Sequence, residues 1–225
     1  DSFNPTSDLY QFTPSTAVFP AERSRTLELG AKWELFEGDL SLRTSVYRTE
    51  KAWERNTDIE TAANNPLLTR ERHTDGFELE GAGRITDRWE LFAGLALMKA
   101  RIDEARPGGN PNVESLRPRN APGYTYNVWT TYRLDRNWKL GGGVEAKGER
   151  LAYGIGGGTA AITPNKVPSY TRWDAMVTYE QRRYEIKLNV LNAFDKRYYE
   201  SVYENGGHVI PGTGRAVQLV TELKF

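Results

Sequence analysis

The chain has 225 residues, with 30 Lys and Arg against 30 Asp and Glu and no cysteine. A formal charge of zero argues against nucleic-acid binding by bulk electrostatics, and the lack of cysteine excludes disulfide scaffolds, thiolate metal sites and thiol nucleophiles. Hydrophobic residues make up 38%, mean hydropathy is −0.65, and no run approaches the roughly 18 apolar residues of a spanning helix, so composition alone describes a polar, soluble domain. Two features sit badly with that description: aromatics reach 12%, and there are 21 glycines.

Apolar and polar residues alternate with period 2, and helical periodicity is scarce. The first predicted strand covers 24–36, where Leu27, Leu29, Ala31, Trp33 and Leu35 oppose Glu28, Gly30, Lys32 and Glu34. The second covers 39–50, with Leu40, Leu42 and Val46 on one side. The pattern continues at 73–85 (Phe77, Leu79), 88–101 (Trp89, Leu91, Leu95, Leu97), 122–134 (Tyr124, Tyr126, Val128) and 137–149 (Trp138, Leu140, Val144). Strands at 169–180, 183–194 and 214–225 complete a set of nine. In the last of them Val217, Leu219, Leu223 and Phe225 oppose Gln218, Glu222 and Lys224. Successive side chains leave a strand on opposite faces, so each segment has one apolar and one polar side.

The connections alternate as regularly as the strands. Short turns at Glu37-Gly38, Thr86-Asp87, Asp135-Arg136 and Gln181-Arg182 are interleaved with long polar stretches at 51–72, 102–121, 150–168 and 195–213. In a meander this places every tight turn at one end and every long loop at the other. Trp89, Trp138 and Tyr184 follow directly on short turns, and Trp33, Tyr132, Tyr179 and Phe225 fall at the same end. Rings gathered there read as the aromatic girdle of one membrane interface. A soluble up-and-down barrel would turn its apolar face inward, and a β-sandwich would bury the rings in its core. The expected fold is therefore all-β: an antiparallel up-and-down transmembrane β-barrel, seen in part. Half of every strand faces water in such a barrel, which reconciles low hydropathy with membrane insertion.

Several stretches resemble the C-terminal part of TonB-dependent outer-membrane receptors. They are Glu22 to Trp33, Gly76-Phe77-Glu78-Leu79-Glu80, Pro118-Arg119-Asn120-Ala121-Pro122, Val167 to Asp174, Asn189 to Tyr198 and Pro211 to Arg215 before a last strand ending in Phe225. The Asn189-Val190-Leu191-Asn192-Ala193-Phe194-Asp195-Lys196-Arg197-Tyr198 stretch is the most specific. The resemblance implies a barrel of about 22 strands around a plug. The nine strands here are then its C-terminal segment, spanning residues 1–225, with the plug and an N-terminal signal lying outside the sequence. It further implies the outer membrane of a Gram-negative bacterium, contact with its lipid, and a ferric siderophore as cargo. The TonB complex would act through the plug, and the barrel assembly machinery would read the terminal Phe225. The stretch Asp75 to Met98 is most similar to the catecholate-receptor subgroup. A passive porin-like channel is the alternative.

Catalytic chemistry is sparse. His73 and His208 stand apart in or beside long loops, and Gly154 to Thr159 lacks the Lys-Ser/Thr of a phosphate loop. Glu78 and Glu80 have the i, i+2 spacing of one barrel wall. No enzyme, resident cofactor or metal site is expected. Catecholate siderophore complexes are anionic and aromatic, so their receptor should offer Arg or Lys together with stacking rings. The loop candidates are Trp53, Arg55, Arg70 and Arg72, then Arg150 and Tyr153, then Arg197, Tyr198, Tyr199 and Tyr203. Glu145, Lys147, Arg172, Asp174 and Lys187 should project from the polar wall.

Overall fold

The computed structural model describes residues 2–4, 19–56, 67–154, 157–203 and 207–224. Its strands are β1 (Ser2–Asn4), β2 (Glu22–Leu35), β3 (Leu40–Arg55), β4 (Leu67–Thr86), β5 (Trp89–Ala105), β6 (Tyr124–Arg133), β7 (Trp138–Lys147), β8 (Arg150–Ala152), β9 (Asn165–Val167), β10 (Tyr170–Glu180), β11 (Tyr184–Leu191), β12 (Tyr199–Tyr203), β13 (His208–Pro211) and β14 (Ala216–Leu223). One antiparallel sheet runs β1-β2-β3-β4-β5-β6-β7-β10-β11-β14, and β8-β9 and β12-β13 form separate hairpins. All nine expected strands are present in meander order, and β1 adds a short tenth. Within the described residues the sheet does not close on itself.

Register explains how an acidic and basic sequence builds an apolar wall. Leu29, Val46, Phe77, Leu97 and Tyr124 lie side by side across five strands. Lower down, Trp89, Tyr132, Leu140, Val177, Leu188 and Leu219 do the same. One residue out of step, Lys32, Arg43, Glu80, Gly94, Asn127, Glu145 and Arg172 line the opposite face. The apolar face is open: Leu27 and Leu29 are 75% and 76% exposed. A soluble protein would cover such a surface, whereas lipid is its natural solvent.

The turn end is tight. Phe36, Glu37 and Gly38 hold φ of 52°, 59° and 97°, which closes the β2–β3 hairpin through a left-handed corner. In the 134–137 turn the Asp135 carboxylate accepts bonds from the Asn137 and Trp138 amides at 2.7 and 2.8 Å. Trp138 and Tyr179 pack beside it as tilted rings with centroids 4.7 Å apart, and Tyr184 continues the row. Phe225, expected in the same girdle, lies outside the described residues.

The loop end departs from expectation in two ways. Residues 51–55, 67–72 and 102–105 are not loop but continue β3, β4 and β5, which reach 16, 20 and 17 residues. A membrane strand needs only about 9–11 residues, so this part of the wall stands well clear of the apolar band. Alternating charge hid the extension, because Arg72–Glu54, Arg70–Glu104 and His73–Asp103 are cross-strand pairs. The stretches expected to be fully solvated also carry compact cores: Ile102, Val113 and Tyr153 form one, and Ala152, Val167 and Val202 form another. These apolar residues are too scattered to show a period.

The Asn192 stretch acts as a clamp. Asn192 donates to the Lys196 and Thr213 carbonyls, accepts from the Lys196 amide, and its own amide donates to Asp174 at 2.7 Å. Asp195 accepts from the Arg215 amide. The residues before and after the last loop are thereby tied to β10.

On the polar face, rings lie on glycines of the neighbouring strand. A Cβ at Gly76 would come within 2.2 Å of the Tyr47 ring, and one at Gly143 within 2.4 Å of Trp129. Gly76→Val should therefore lose about 1–3 kcal/mol of stability, as for other overpacked sites. Urea unfolding in lipid vesicles will measure the loss, and Tyr47→Ala should recover most of it. A Gly76→Val protein as stable as the wild type would contradict the packing.

Candidate functional site

The extended β3–β4–β5 wall and the folded loops enclose a cleft of about 590 Å³. That falls within the range of small-molecule sites. Glu54 and Arg72 come from β3 and β4, Arg119 and Asn120 from the segment before β6, and Tyr153 and Tyr203 from the two loop hairpins.

Glu54 is buried and fully matched. Its carboxylate accepts two bonds of 2.7 Å from the Arg72 guanidinium and one of 3.1 Å from Thr69, with Lys51 at 3.5 Å. A bidentate fork of this kind fixes Arg72 and neutralises it. Tyr153 is buried beside the pair and donates to the Arg117 carbonyl at 2.8 Å. Burial pushes its phenol up to about 12. Arg119 acts electrostatically on the same hydroxyl and makes no ion pair among the described residues. The cleft thus offers one unneutralised guanidinium, two phenol rings and the side chain of Asn120, a set suited to an anionic aromatic molecule.

The structure places the ten candidates unevenly. Arg72, Tyr153 and Tyr203 line the cleft. Trp53 and Arg70 form a separate pair at the top of the wall, with the Arg70 guanidinium 5.4 Å from the Trp53 ring and bonded to Glu104. Trp53 holds a φ of 56°, a left-handed conformation that costs a bulky residue about 1–3 kcal/mol. Arg197 and Tyr199 are exposed on the last loop, and Tyr199 belongs to β12.

Three expectations are corrected. Arg150 is 1% exposed, and its guanidinium donates to the Glu200, Tyr199 and Pro168 carbonyls. It pins the third and fourth loops together and presents nothing to a ligand. Arg55 is likewise buried against the Phe19 and Pro20 carbonyls. Tyr198 is buried too, accepting from Arg172 at 3.0 Å and packed on Tyr170 with centroids 4.2 Å apart. Long polar loops suggested exposed side chains, but unpaired carbonyls in folded loops draw the guanidinium groups inward. Arg119 and Asn120, by contrast, were legible only as part of a loop exit.

The polar wall below behaves as expected. Arg172 bonds Glu145 at 3.0 Å and lies 3.7 Å from Asp174, and Lys147 pairs with Glu200 at 2.7 Å. His73 bonds Asp103 at 2.7 Å, while Gly154 to Thr159 includes two positions outside the described residues.

Comparison with known proteins agrees with this architecture. Residues 1–193 match the family model described as TonB dependent receptor-like, beta-barrel. The "Probable TonB-dependent receptor BfrD" of Bordetella pertussis is 29% identical over 207 residues, covering 91% of this chain and 27% of that protein. The crystal structure of the siderophore receptor PiuA from Acinetobacter baumannii superposes with a TM-score of 0.77 at 25% identity, over 95% of this chain and 30% of that one. The ferric-catecholate import receptor Fiu of Escherichia coli, in its closed form, gives 0.72 at 26% identity over 90% and 27%. The chain spans between a quarter and a third of the length of these relatives.

The raised Tyr153 pKa has a pH consequence. A phenol whose folded pKa lies above its unfolded value of about 10 contributes stability that is complete below pH 10 and is lost as pH rises towards about 12. Protease sensitivity of the 150–167 loop should rise across that window, and Tyr153→Phe should remove that part of the rise. A Tyr153→Phe profile identical to wild type would refute the assignment.

Proposed function

The chain belongs to the TonB-dependent receptor β-barrel family, and from that premise we propose that it forms the C-terminal wall of an outer-membrane receptor that captures ferric siderophores, of catecholate type. The observation carrying this reading is the cleft at the loop end, where Arg119 stands without an acid partner among the described residues beside Tyr153 and Tyr203. A ferric catecholate complex presents negative charge surrounded by aromatic rings, and these groups complement both properties. The similarity to a protein described as a ferric-catecholate import receptor supports the same class.

In this reading the apolar face meets the lipid of a Gram-negative outer membrane, with short turns inward and long loops outside. Among the described residues β14 pairs on one side only, and a free strand edge in lipid costs several kcal/mol per unsatisfied group, so further strands would flank this section. A plug would sit against the polar wall and couple the receptor to the TonB complex, and the barrel assembly machinery would act at the C-terminal strand. The residues serve capture and passage, with no bond broken. A passive porin gains no support, because the family is one of receptors.

The test is ligand titration of the full-length receptor in detergent, followed by intrinsic fluorescence, with a ferric dihydroxybenzoate complex as probe. Arg119→Ala should weaken binding about tenfold or more, the loss expected for a charge-assisted contact. Arg136→Ala, in a short turn at the opposite end, should leave it unchanged. Equal affinity of Arg119→Ala and wild type would sink the assigned cleft.

A further inference from the structure

The apolar face ends abruptly at its loop-side margin. Beyond the row Leu29, Val46, Phe77 and Leu97, the next outward positions are Leu27, Arg48, Asp75 and Lys99. The row after that is Arg25, Glu50, His73 and Arg101. Strict alternation keeps all of these on the face that carries the leucines, away from the cleft described above. Allowing for strand tilt, the two rows stand about 5 and 10 Å above the last apolar row, which is headgroup height.

The two rows hold four cations, Arg25, Arg48, Lys99 and Arg101, against two carboxylates, Glu50 and Asp75. All four cations are exposed. The Arg48 contacts are long, 3.4 Å to Glu50 and 3.6 Å to Asp75, with its side chain half exposed, so its charge is only weakly matched. His73 is held by Asp103, and one step further out the row continues with Arg23, Ala52 and Glu71. Arg25 and Arg48 border a cleft of about 840 Å³, together with Arg23, Glu50, His73 and Asp103, and Lys99 and Arg101 continue the rows beside it.

The same strands treat their two margins differently. At the turn end Trp33 and Trp89 provide rings, as usual for a headgroup boundary. At the loop end guanidinium and ammonium groups take that place. Guanidinium forks fit phosphate oxygens bidentately, and each basic residue near an anionic leaflet contributes about 1 kcal/mol.

We propose that Arg25, Arg48, Lys99 and Arg101 form a docking surface for a phosphate-bearing lipid headgroup in the outer leaflet. The proposal rests on the outer-membrane orientation given under Proposed function, and not on the identity of the transported ligand. The acids Glu50 and Asp75 space the cations so that phosphate sits between strands, and the leucine rows below receive the acyl chains.

Native mass spectrometry of the full-length receptor, offered a bisphosphorylated glycolipid or its dephosphorylated counterpart, tests this. Wild type should retain the phosphorylated lipid preferentially. A variant with Arg25→Gln, Arg48→Gln, Lys99→Gln and Arg101→Gln should lose affinity about fivefold per cation removed. A Lys99→Gln, Arg101→Gln protein serves where the quadruple variant fails to assemble. Lys32→Gln with Arg43→Gln, on the opposite face, should retain the lipid as wild type does. Equal retention of both lipids by wild type, or an equal loss in the opposite-face variant, would overturn the proposal. Ferric dihydroxybenzoate binding is measured on the same wild-type sample. Its absence alongside selective lipid retention would count against the transport reading while upholding the lipid site.

Discussion

Everything in this chain follows from the need of backbone amides and carbonyls for partners where water is absent. An extended strand in hydrocarbon satisfies them only through its two neighbours. Register is therefore fixed along the whole sheet, and each side chain is assigned to one face by parity alone. The apolar rows from Leu29 to Tyr124 and from Trp89 to Leu219 result from that rule, as does the polar row from Lys32 to Arg172. Low hydropathy is a consequence of spanning the membrane this way.

The same rule explains which parts were legible in sequence. Nine strands, their order and all four short turns were readable because alternation persists for eight or more residues and each turn interrupts it. The upper parts of β3, β4 and β5 were not. There both faces are polar, so Arg72 against Glu54 and His73 against Asp103 produce no hydrophobic period. The folded loops were hidden for another reason: Val113, Tyr153, Val167 and Val202 pack over long separations, and no local pattern encodes such contacts.

Candidate binding residues were less legible than strands. Composition directed attention to every loop arginine equally, yet a guanidinium has five donors and folded loops have carbonyls to satisfy. Arg150 and Arg55 lie buried among those carbonyls and act as staples. Arg119 remains in the cleft without an acid partner among the described residues. The distinction lies in burial and partner geometry, which residue type does not carry. Tyr153 falls between the two roles, since its ring lines the cleft while its hydroxyl closes a loop.

Separation of stability from recognition also follows from the architecture. The strand apolars that would form the core of a soluble protein face outward, and the buried apolar clusters among the described residues sit at the loop end. A loop core fastened by Arg150 and by the Asn192 clamp can hold Tyr153 and Arg119 in place without any contribution from the lipid-facing leucines. Conversely, the outward charge rows at Arg48 and Lys99 can respond to the leaflet without disturbing the cleft, because a strand places neighbouring side chains on opposite sides of one backbone. A single wall can therefore present one chemistry to the membrane and another to a ligand, with parity as the insulation between them.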